Sequence, residues 1–452
     1  MPFSVALIAG MLTFILFIFL VLKRPVYEAV FLSFIALVAV TGTWDKIGIY
    51  INEALSTPLI YSMVSFMAMS VLLTKTKVVD KCISIILSVM GKIPGGAGYT
   101  AVIASTFMGA FSGSGPGNVM ATGAITIPAM KKSGFPPELA GNIESNSSYL
   151  GNMVPPSSNI VAALGALAAA YPAENMSVGR FWIILWGISF WFILQRIVMV
   201  WGFCKYYKIK PLTGEELPSF KETLKEGWQG LLLPVIILLP FILDYIFKDG
   251  FFTERLGKQG AKYLSNSLLL FVGGVAAFYG CVICKNKQMV TISSIAKYFS
   301  DSMKTIAPTI GVCVFGYMIG AVFAELDIAN DFGRIIAAWQ FGKIGTVAAV
   351  CAITCFMGMV VPGSSIVVIF GSVFITVLAK VGCNPVVAAA MLPCICGVMC
   401  GITPPLGLGM YAGMTLSGAD FTKTLKNNLW WVGAQFIMEV VVLMECLPIF
   451  GL

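Results

Sequence analysis

The sequence predicts an all-α polytopic membrane protein made of two inverted repeats, each with a re-entrant helical hairpin and a broken transmembrane helix. Hydrophobic residues make up 58% of the chain and charged residues 11%, and the mean hydropathy is +0.90. These values are typical of a chain that crosses the bilayer many times. The two repeats are indicated by a pattern of Gly, Ser and Pro that occurs twice.

The repeated pattern is a Gly/Ser-rich break that is followed further along the chain by a Pro-Pro break. The corresponding pairs are Gly113 and Gly363, Ser114 and Ser364, Gly134 and Gly382, Pro136 and Pro385, and Pro155-Pro156 and Pro404-Pro405. All of these pairs are separated by nearly the same number of residues. Such self-similarity at a constant offset predicts two structural repeats.

The composition also excludes several classes of protein. A net charge of +8 would suggest nucleic-acid binding in a soluble chain, but here Lys and Arg stand in short loops, where they orient the spans. The 12 Cys are scattered and the chain has no His, so a zinc or haem site is not expected. Residues 1–22 lack a basic start and a cleavage site, which predicts a retained first span.

The first half begins with three predicted spans, at residues 3–22, 26–42 and 58–74, with a polar turn around Asp45 before the third. Each span is long enough for a hydrocarbon core of about 30 Å with modest tilt. Residues 75–92 form a basic amphipathic segment, which is expected to lie on the membrane surface.

A hairpin and a broken helix follow. Residues 99–130 form two apolar legs that are each too short to span, and the Gly/Ser/Pro run at 112–116 between them predicts a re-entrant hairpin. Residues 137–170 contain Gly151 and Pro155 between two short apolar legs. Because Pro removes a hydrogen-bond donor and Gly loosens the backbone, this segment predicts one crossing that is broken at mid-depth.

The second half repeats this order after a linker. A continuous span at residues 181–203 ends the first repeat, which covers 1–204, and the polar residues 205–229 predict a cytoplasmic linker. The second repeat, 230–452, contains spans at about 230–246, 265–283 and 305–323, an amphipathic piece around 331–339, a hairpin at 346–378, a broken helix at 385–416 and a last span at 428–447.

The number of crossings predicts the orientation of the two repeats. The first repeat crosses the membrane an odd number of times, so the second repeat is inverted relative to it. If Lys23 and Arg24 are cytoplasmic, most of the other Lys and Arg also fall on the cytoplasmic side, as the positive-inside rule requires. The N-terminus is then outside, the first hairpin enters from the cytoplasm and the second from the outside, and both hairpin tips meet at mid-depth.

The two tips are the predicted binding site. Free carbonyls of non-helical backbone coordinate cations, and the N-termini of half-helices attract anions. Polar side chains at the tips are candidate substrate ligands: Ser112, Ser114, Asn118, Ser364 and Ser365. Neither tip contains Lys or Arg, so a carboxylate would be held by hydroxyls, backbone N–H groups and helix dipoles. Gly and Ser also serve close helix packing, but two tips with a Pro-Pro break after each favour a binding site.

Isolated charges within apolar segments are a second group of candidates. Glu144 stands in a polar run of the first broken helix, and an acid inside the membrane is a functional candidate by default. It has no counterpart in the second repeat, so a role as direct ligand stays open. Glu28, Arg196 and Glu439 are expected near the interfaces or paired within the scaffold.

Four motifs together resemble one protein family. They are the Gly-x-x-Ser-Gly-Ser sequence at 109–114, the run Ile-Pro-Ala-Met-Lys-Lys-Ser-Gly-Phe-Pro-Pro at 127–137, Pro155-Pro156, and Ile-Thr-Pro-Pro at 402–405. With them, nearly the whole chain resembles the large membrane subunit of TRAP (tripartite ATP-independent periplasmic) transporters. The resemblance implies an elevator-type secondary transporter of the ion transporter superfamily in the bacterial cytoplasmic (inner) membrane. It also implies import of an organic acid, a dicarboxylate or related carboxylate, driven by Na+.

The resemblance further implies partners and ion sites. The partners would be an extracytoplasmic substrate-binding protein and a small four-span membrane subunit; Na+ would be the coupling ion, with no other cofactor. By position, one Na+ site would contain Ser112, Ser114, Gly151 and Pro155, and the other would contain Gly363, Ser364, Gly401 and Thr403. The sequence departs from the family pattern at residues 144–148 and 361–363, which leaves the substrate open.

Two other classes of protein share part of this pattern or compete with it. A stand-alone cation-coupled organic-anion carrier of the same superfamily would share the fold and need no partners. A membrane-embedded enzyme would need an acid–base pair or an activated nucleophile. The absence of His and of paired intramembrane carboxylates argues against an enzyme.

Overall fold

The chain folds into helices that are joined by short turns. The computed structural model describes residues 3–56, 58–112, 115–174, 176–212, 217–328, 341–359, 361–404 and 406–452, and no strand occurs within these ranges. A helix satisfies its backbone groups within its own segment, which is what hydrocarbon surroundings require. The all-α prediction is therefore confirmed.

The first half contains ten helices in the described residues. They are α1 (Phe3–Leu16), α2 (Val26–Thr41), α3 (Ile47–Ser56), α4 (Pro58–Lys75), α5 (Val78–Met90), α6 (Gly96–Ser112), α7 (Gly115–Lys132), α8 (Pro137–Leu150), α9 (Ser158–Ala170) and α10 (Val178–Tyr207).

The described part of the second half contains ten more. They are α11 (Phe220–Gly227), α12 (Leu233–Phe247), α13 (Thr253–Ile283), α14 (Ile292–Glu325), α15 (Gly342–Gly358), α16 (Gly363–Lys380), α17 (Pro385–Leu392), α18 (Met399–Ile402), α19 (Leu408–Ser417) and α20 (Phe421–Leu443). A π-helical turn, Pro393–Val398, connects α17 to α18.

Both predicted helix pairs and both predicted breaks are present, but Gly363–Lys380 and Pro385–Ile402 are each long and apolar enough to cross a membrane alone, unlike the short legs that the sequence predicts. Re-entry of the hairpins stays a prediction. Helices α6 and α7 form the first hairpin, and α15 and α16 form the second. The two legs of the first broken helix meet at an angle of 42°. In the second broken helix the first leg continues through the π-helical turn to Ile402 before the chain turns into α19.

Helices α13 and α14 begin at Thr253 and Ile292, well before the predicted spans at 265–283 and 305–323, and three other elements also differ from the prediction. The polar turn at Asp45 is followed by an additional helix, α3, which buries Tyr50 and Ala54 on one face. The predicted linker contains helix α11, which packs on α5. The last helix begins at Phe421 rather than at residue 428, because Asp420 caps it by accepting a hydrogen bond from the backbone N–H of Lys423 at 3.0 Å. The amphipathic piece predicted around 331–339 lies outside the described residues.

The broken helices and hairpins lie in the middle of the molecule, and other spans surround them. In the most apolar 18-residue stretch of Pro385–Ile402, 94% of the residues are buried inside the protein. In the corresponding stretches of Phe220–Phe247 and Tyr263–Ile283, 28% and 29% are buried. Among the described helices, six are long and apolar enough to cross a membrane, and each of two bent pairs passes the same test as a unit. The peripheral helices expose large apolar side chains such as Phe271 and Phe278, which suits contact with lipid.

Candidate functional site

Each hairpin rests on a broken helix through glycine. A Cβ atom on Gly109 in α6 would lie 2.2 Å from the carbonyl oxygen of Ser148 and 3.1 Å from Cα of Gly151. In the second half, a Cβ atom on Gly363 would lie 2.4 Å from the carbonyl oxygen of Cys396. These distances are too short for any side chain, so glycine allows the two backbones to touch.

Tyr149 connects the first broken helix to the second. Its ring fills the space beside Gly115, Gly401 and Gly409, where an added Cβ atom would lie 2.3 Å, 1.8 Å and 2.3 Å from ring atoms. Gly115 begins α7, whereas the other two glycines flank the second break. One aromatic ring therefore holds a hairpin tip and both breaks in register.

The tips and breaks enclose a cavity of about 510 Å³. One side of its wall comes from the hairpin tips and the breaks: residues 115–118, Asn152, Ser158, Asn159, Pro362, Gly363, Ser364, Gly397 and Cys400. The opposite side comes from α4, α5 and α14, including Ser70, Lys75, Asp80, Ser302 and Thr309. The predicted meeting of both hairpins at one site agrees with this arrangement.

Four helices begin at the cavity wall: α7, α9, α16 and α19. The first turn of α9 is capped by Ser157, which accepts a hydrogen bond from the backbone N–H of Asn159 at 3.4 Å. In α16 the backbone N–H of Gly363 donates to Cys400 Sγ at 3.2 Å, and the N–H of Ser365 donates to the carbonyl of Pro362 at 3.0 Å. The N-terminal turns of helices carry a partial positive charge, so this wall is suited to an anion.

Three of the predicted site residues line the cavity: Asn118, Gly363 and Ser364. Asn118 is held in place because its Nδ2 donates to the carbonyl oxygen of Ser105 at 2.8 Å. Ser365 is buried in the first turn of α16, next to the wall rather than in it.

The remaining predicted residues lie at the two breaks. Gly151, Pro155, Gly401 and Thr403 are buried, and Asn152 and Cys400, which are their chain neighbours, line the cavity. The hydroxyl of Thr403 donates to the carbonyl of Met399 at 2.7 Å. Ser114 and the side chain of Ser112 lie outside the part of the chain that the structure describes.

Sequence reasoning did not identify the charged residues of the cavity wall. Lys75 and Asp80 belong to the segment that was expected on the membrane surface, yet both line the cavity. The Lys75 ammonium lies 5.9 Å from the centroid of the Tyr298 ring. Burial raises the pKa of the Asp80 carboxyl above its ordinary value, and nearby Lys77 opposes this shift. The only signal in the sequence was the amphipathic pattern of 75–92, which does not specify what its polar face contacts.

Glu144 does not line the cavity. It is fully buried between α7 and α8, where its carboxylate accepts hydrogen bonds from Thr122, Thr126 and Ser148. Beside it, Asn146 Nδ2 donates to Asn428 Oδ1 at 3.2 Å and thereby ties α8 to α20. The polar run in α8 thus serves contacts with neighbouring helices.

Arg196 and Glu439 are linked within the scaffold, as expected. Arg196 Nη2 donates to Gln435 Oε1 at 2.7 Å, and Gln435 Nε2 donates to Glu439 Oε1 at 2.8 Å. Oε2 of Glu28 lies 4.0 Å from Nε of Arg24, four residues earlier in the chain, and both side chains are partly exposed.

Two solved transporter structures share the fold. The chain aligns with MtrF of Neisseria gonorrhoeae, described as a member of a class of antimetabolite efflux pumps, at a TM-score of 0.64 and 13% identity, covering 90% of this chain and 84% of MtrF. It aligns with the YdaH transporter of Alcanivorax borkumensis at a TM-score of 0.56 and 16% identity, covering 87% and 89% of the two chains.

Curated relatives have related sequences over most of their length. The C4-dicarboxylate TRAP transporter large permease protein DctM of Vibrio cholerae is 24% identical over 388 residues, which cover 83% of this chain and 82% of the relative. The sialic acid TRAP transporter large permease protein SiaM of the same organism is 22% identical and covers 82% and 80%. The isethionate TRAP transporter permease protein DctMQ of Oleidesulfovibrio alaskensis is 21% identical and covers 96% of this chain but 64% of its own length.

Residues 12–448 match a single protein family, described as the DctM component of the tripartite ATP-independent periplasmic transporter. The match covers both hairpins, both broken helices and the cavity between them. The apolar spans and these relatives identify a multi-pass protein of the inner membrane. The chain belongs to the DctM family and is a large permease component of a TRAP transporter.

Proposed function

We propose that this chain imports an organic acid together with Na+ by an elevator mechanism, as the large permease subunit of a TRAP system. The substrate class is supported by relatives whose names specify C4-dicarboxylate and sialic acid. Both compounds carry carboxylate groups, so the site must bind an anion at membrane depth.

The single observation that carries the proposal is the convergence of four helix N-termini on one cavity, with Lys75 in the opposite wall. The positive ends of helices attract carboxylate oxygens without a full positive charge. Lys75 adds one full positive charge to the cavity lining. A carboxylate in the cavity would therefore be attracted both to the helix N-termini and to Lys75.

Na+ coupling is supported by the oxygens that the same wall offers. Ser364 and Asn118 line the cavity, and the two breaks place non-helical backbone beside them. Neutral hydroxyl, amide and carbonyl oxygens are suited to an alkali cation where broken helices expose their ends. A cation beside the carboxylate would also compensate its charge in surroundings of low dielectric constant.

The elevator mechanism is supported by where the cavity lies. Glycine contacts and the Tyr149 ring join the hairpins and broken helices into one unit, whereas the opposite wall belongs to α4, α5 and α14. Substrate bound between the two walls would change sides if the hairpin unit moved past α4 and α14. Such a movement needs a stationary frame, which the small membrane subunit would complete, and a binding protein would deliver the substrate.

Uptake by proteoliposomes tests the proposal. The purified chain is reconstituted with its small subunit, and the binding protein is added with a panel of radiolabelled organic acids. We expect uptake of at least one organic acid with external Na+, and none when K+ or choline replaces Na+. Equal uptake without Na+ would refute the coupling.

The same experiment tests the partners. The chain without the small subunit and the binding protein should bind Na+ but transport poorly, and addition of both should restore uptake. Full activity of the isolated chain would instead indicate a stand-alone carrier of the same superfamily.

A further inference from the structure

Glu144 has hydrogen-bond partners on two helices. Thr122 and Thr126 lie one turn apart on α7 and donate to its two carboxylate oxygens, and Ser148, one turn further along α8, donates to Oε1 at 3.0 Å. The side chain is 0% exposed. The buried hydroxyl of Ser105, on α6, also lies against this carboxyl group. In the part of the chain that the structure describes, no cluster of three or more Cys, Asp or Glu side chains could hold a metal ion.

No positive charge compensates this carboxyl group. Within the described ranges, no Lys or Arg nitrogen lies within 4.0 Å of it. Helices α6, α7, α10, α18, α19 and α20 and the π-helical turn pack on α8, and their titratable groups have other surroundings. Lys131 donates to the Ser417 carbonyl at 2.8 Å, and Glu439 is held by Gln435. The other titratable groups on these elements and on α8 make no hydrogen bond to Glu144: Tyr99, Lys132, Glu138, Tyr149, Arg180, Arg196, Cys204, Lys205, Tyr206, Tyr207, Cys394, Cys396, Cys400, Tyr411, Lys423 and Lys426.

The hydrogen-bond network can accept Glu144 in either charge state. Thr122 Oγ1 also lies 2.8 Å from the carbonyl oxygen of Asn118, and Thr126 Oγ1 lies 3.1 Å from that of Thr122. Each hydroxyl has one hydrogen for two acceptors. With Glu144 ionised, the hydroxyls donate to the carboxylate. With Glu144 neutral, its O–H donates to a threonine oxygen, and that threonine donates to the carbonyl of its own helix.

We propose that Glu144 is a proton-binding site that is neutral in this state and loses its proton when Na+ occupies the adjacent cavity. An ionised carboxylate without a counter-charge is costly to bury, so the neutral form is favoured while the cavity holds no cation. The site is close to the cavity because Asn118, the carbonyl partner of Thr122, lines the wall together with Ala121.

The exchange is balanced in charge. The O–H bond of Glu144 breaks, its proton leaves to water in the cavity, and the carboxylate remains as the counter-charge of the bound Na+. The coupling is reciprocal: Na+ binding weakens proton binding by the same factor by which protonation of Glu144 weakens Na+ binding. Na+ should therefore bind weakly at low pH, where Glu144 is neutral, and tightly at higher pH. The coupling to Na+ rests on the proposed function; the proton site does not.

Infrared spectroscopy of the purified chain tests the proton site directly. We expect the wild-type-minus-Glu144→Gln difference spectrum at neutral pH to contain a carbonyl band of a protonated carboxylic acid, and the wild-type-minus-Glu138→Gln spectrum, a control at the start of the same helix, to contain none. The difference spectra isolate Glu144 from other buried carboxyl groups such as Glu439. Absence of the band from the Glu144→Gln difference spectrum would overturn the proposal. If Glu144→Gln does not fold, Thr126→Val removes one hydroxyl partner and should shift the band; an unshifted band would also overturn it.

Uptake at several pH values tests the coupling. In proteoliposomes with both partner proteins, the Na+ concentration for half-maximal uptake should rise about tenfold from the alkaline to the acidic limit. Glu138→Gln should behave like the wild type, whereas Glu144→Gln should need high Na+ at every pH. A wild-type value that does not change with pH would refute the coupling. If uptake needs no Na+ at all, the proposed function fails, and the infrared result alone decides whether Glu144 binds a proton.

Discussion

At the scale of single residues, the cavity combines neutral oxygens with the charged side chains of Lys75 and Asp80. Ser364 stands in the first turn of α16 and lines the cavity together with Gly363, the first residue of that helix. Lys75 stands at the end of α4 in the opposite wall. The two side chains should therefore have different effects, one on Na+ and the other on the organic anion.

Replacement of Ser364 by Ala should weaken Na+ binding. Loss of one buried oxygen ligand costs roughly one to a few kcal/mol, so the Na+ concentration for half-maximal uptake should rise about tenfold or more. Ser372→Ala, a change on the same helix away from the cavity wall, is the matched control. Unchanged Na+ dependence in Ser364→Ala would remove this residue from the ion site; the same test applies to Ser114→Ala.

Replacement of Lys75 by Gln should weaken binding of the organic anion. Because the ammonium is partly solvated, its attraction to a carboxylate is modest, and we expect the KM for uptake to rise several-fold with little change in the Na+ requirement. Lys77→Gln removes a charge two residues further on, outside the cavity wall. Equal effects of the two changes would indicate a general surface-charge effect rather than contact with the substrate.

At the scale of elements, the hairpins and broken helices form a unit because glycine lets their backbones touch. Gly109 against Gly151 in the first half corresponds to Gly358 against Cys400 in the second, where an added Cβ atom would lie 3.1 Å from Cα of Gly151 and 2.7 Å from Cβ of Cys400, respectively. The breaks themselves were predictable, since Gly, Ser and Pro interrupt helices through local backbone chemistry. Which break a hairpin contacts was not predictable, because that depends on packing between segments far apart in the chain.

Gly109→Ala should destabilise this unit. The added Cβ would lie 2.2 Å from the Ser148 carbonyl oxygen, so α6 must separate from α8, and overpacking of this kind costs about 1–3 kcal/mol. Gly202→Ala, in α10 with no neighbouring atom within 4 Å, should be neutral or slightly stabilising. Thermal unfolding of both purified variants checks this, and equal unfolding temperatures would contradict the contact.

At the scale of the whole molecule, the orientation of the two halves remains a prediction from charge and crossing number. A tag at residues 214–216, which lie beyond the described ranges, should be accessible only from the cytoplasm. A tag at residues 249–251 should be accessible only from outside. Native Cys446 is exposed and should be replaced by Ser before any thiol labelling. Accessibility of both tags from the same side would contradict the inverted repeat.

The class of protein, most helical spans, the helix pairs of both hairpins and both breaks were predictable from the amino-acid sequence. Apolar length, Gly/Pro interruption and charge in loops are local properties, and the bilayer turns them directly into structure. Helix α3 was missed because Asp45 and Lys46 interrupt the apolar pattern, although the chain resumes a helix directly after them.

Which residues share the cavity and which support it depends on how the helices pack. Lys75 and Tyr149 line the wall, whereas Glu144, whose role as a direct ligand was open from the sequence, is surrounded by hydroxyls of α7 and α8. The neighbours of each side chain depend on how its helix packs against other helices, which can lie hundreds of residues away in the sequence. That packing depends on contacts such as the Tyr149 ring against Gly401 and Gly409, and no local pattern in the sequence specifies such contacts.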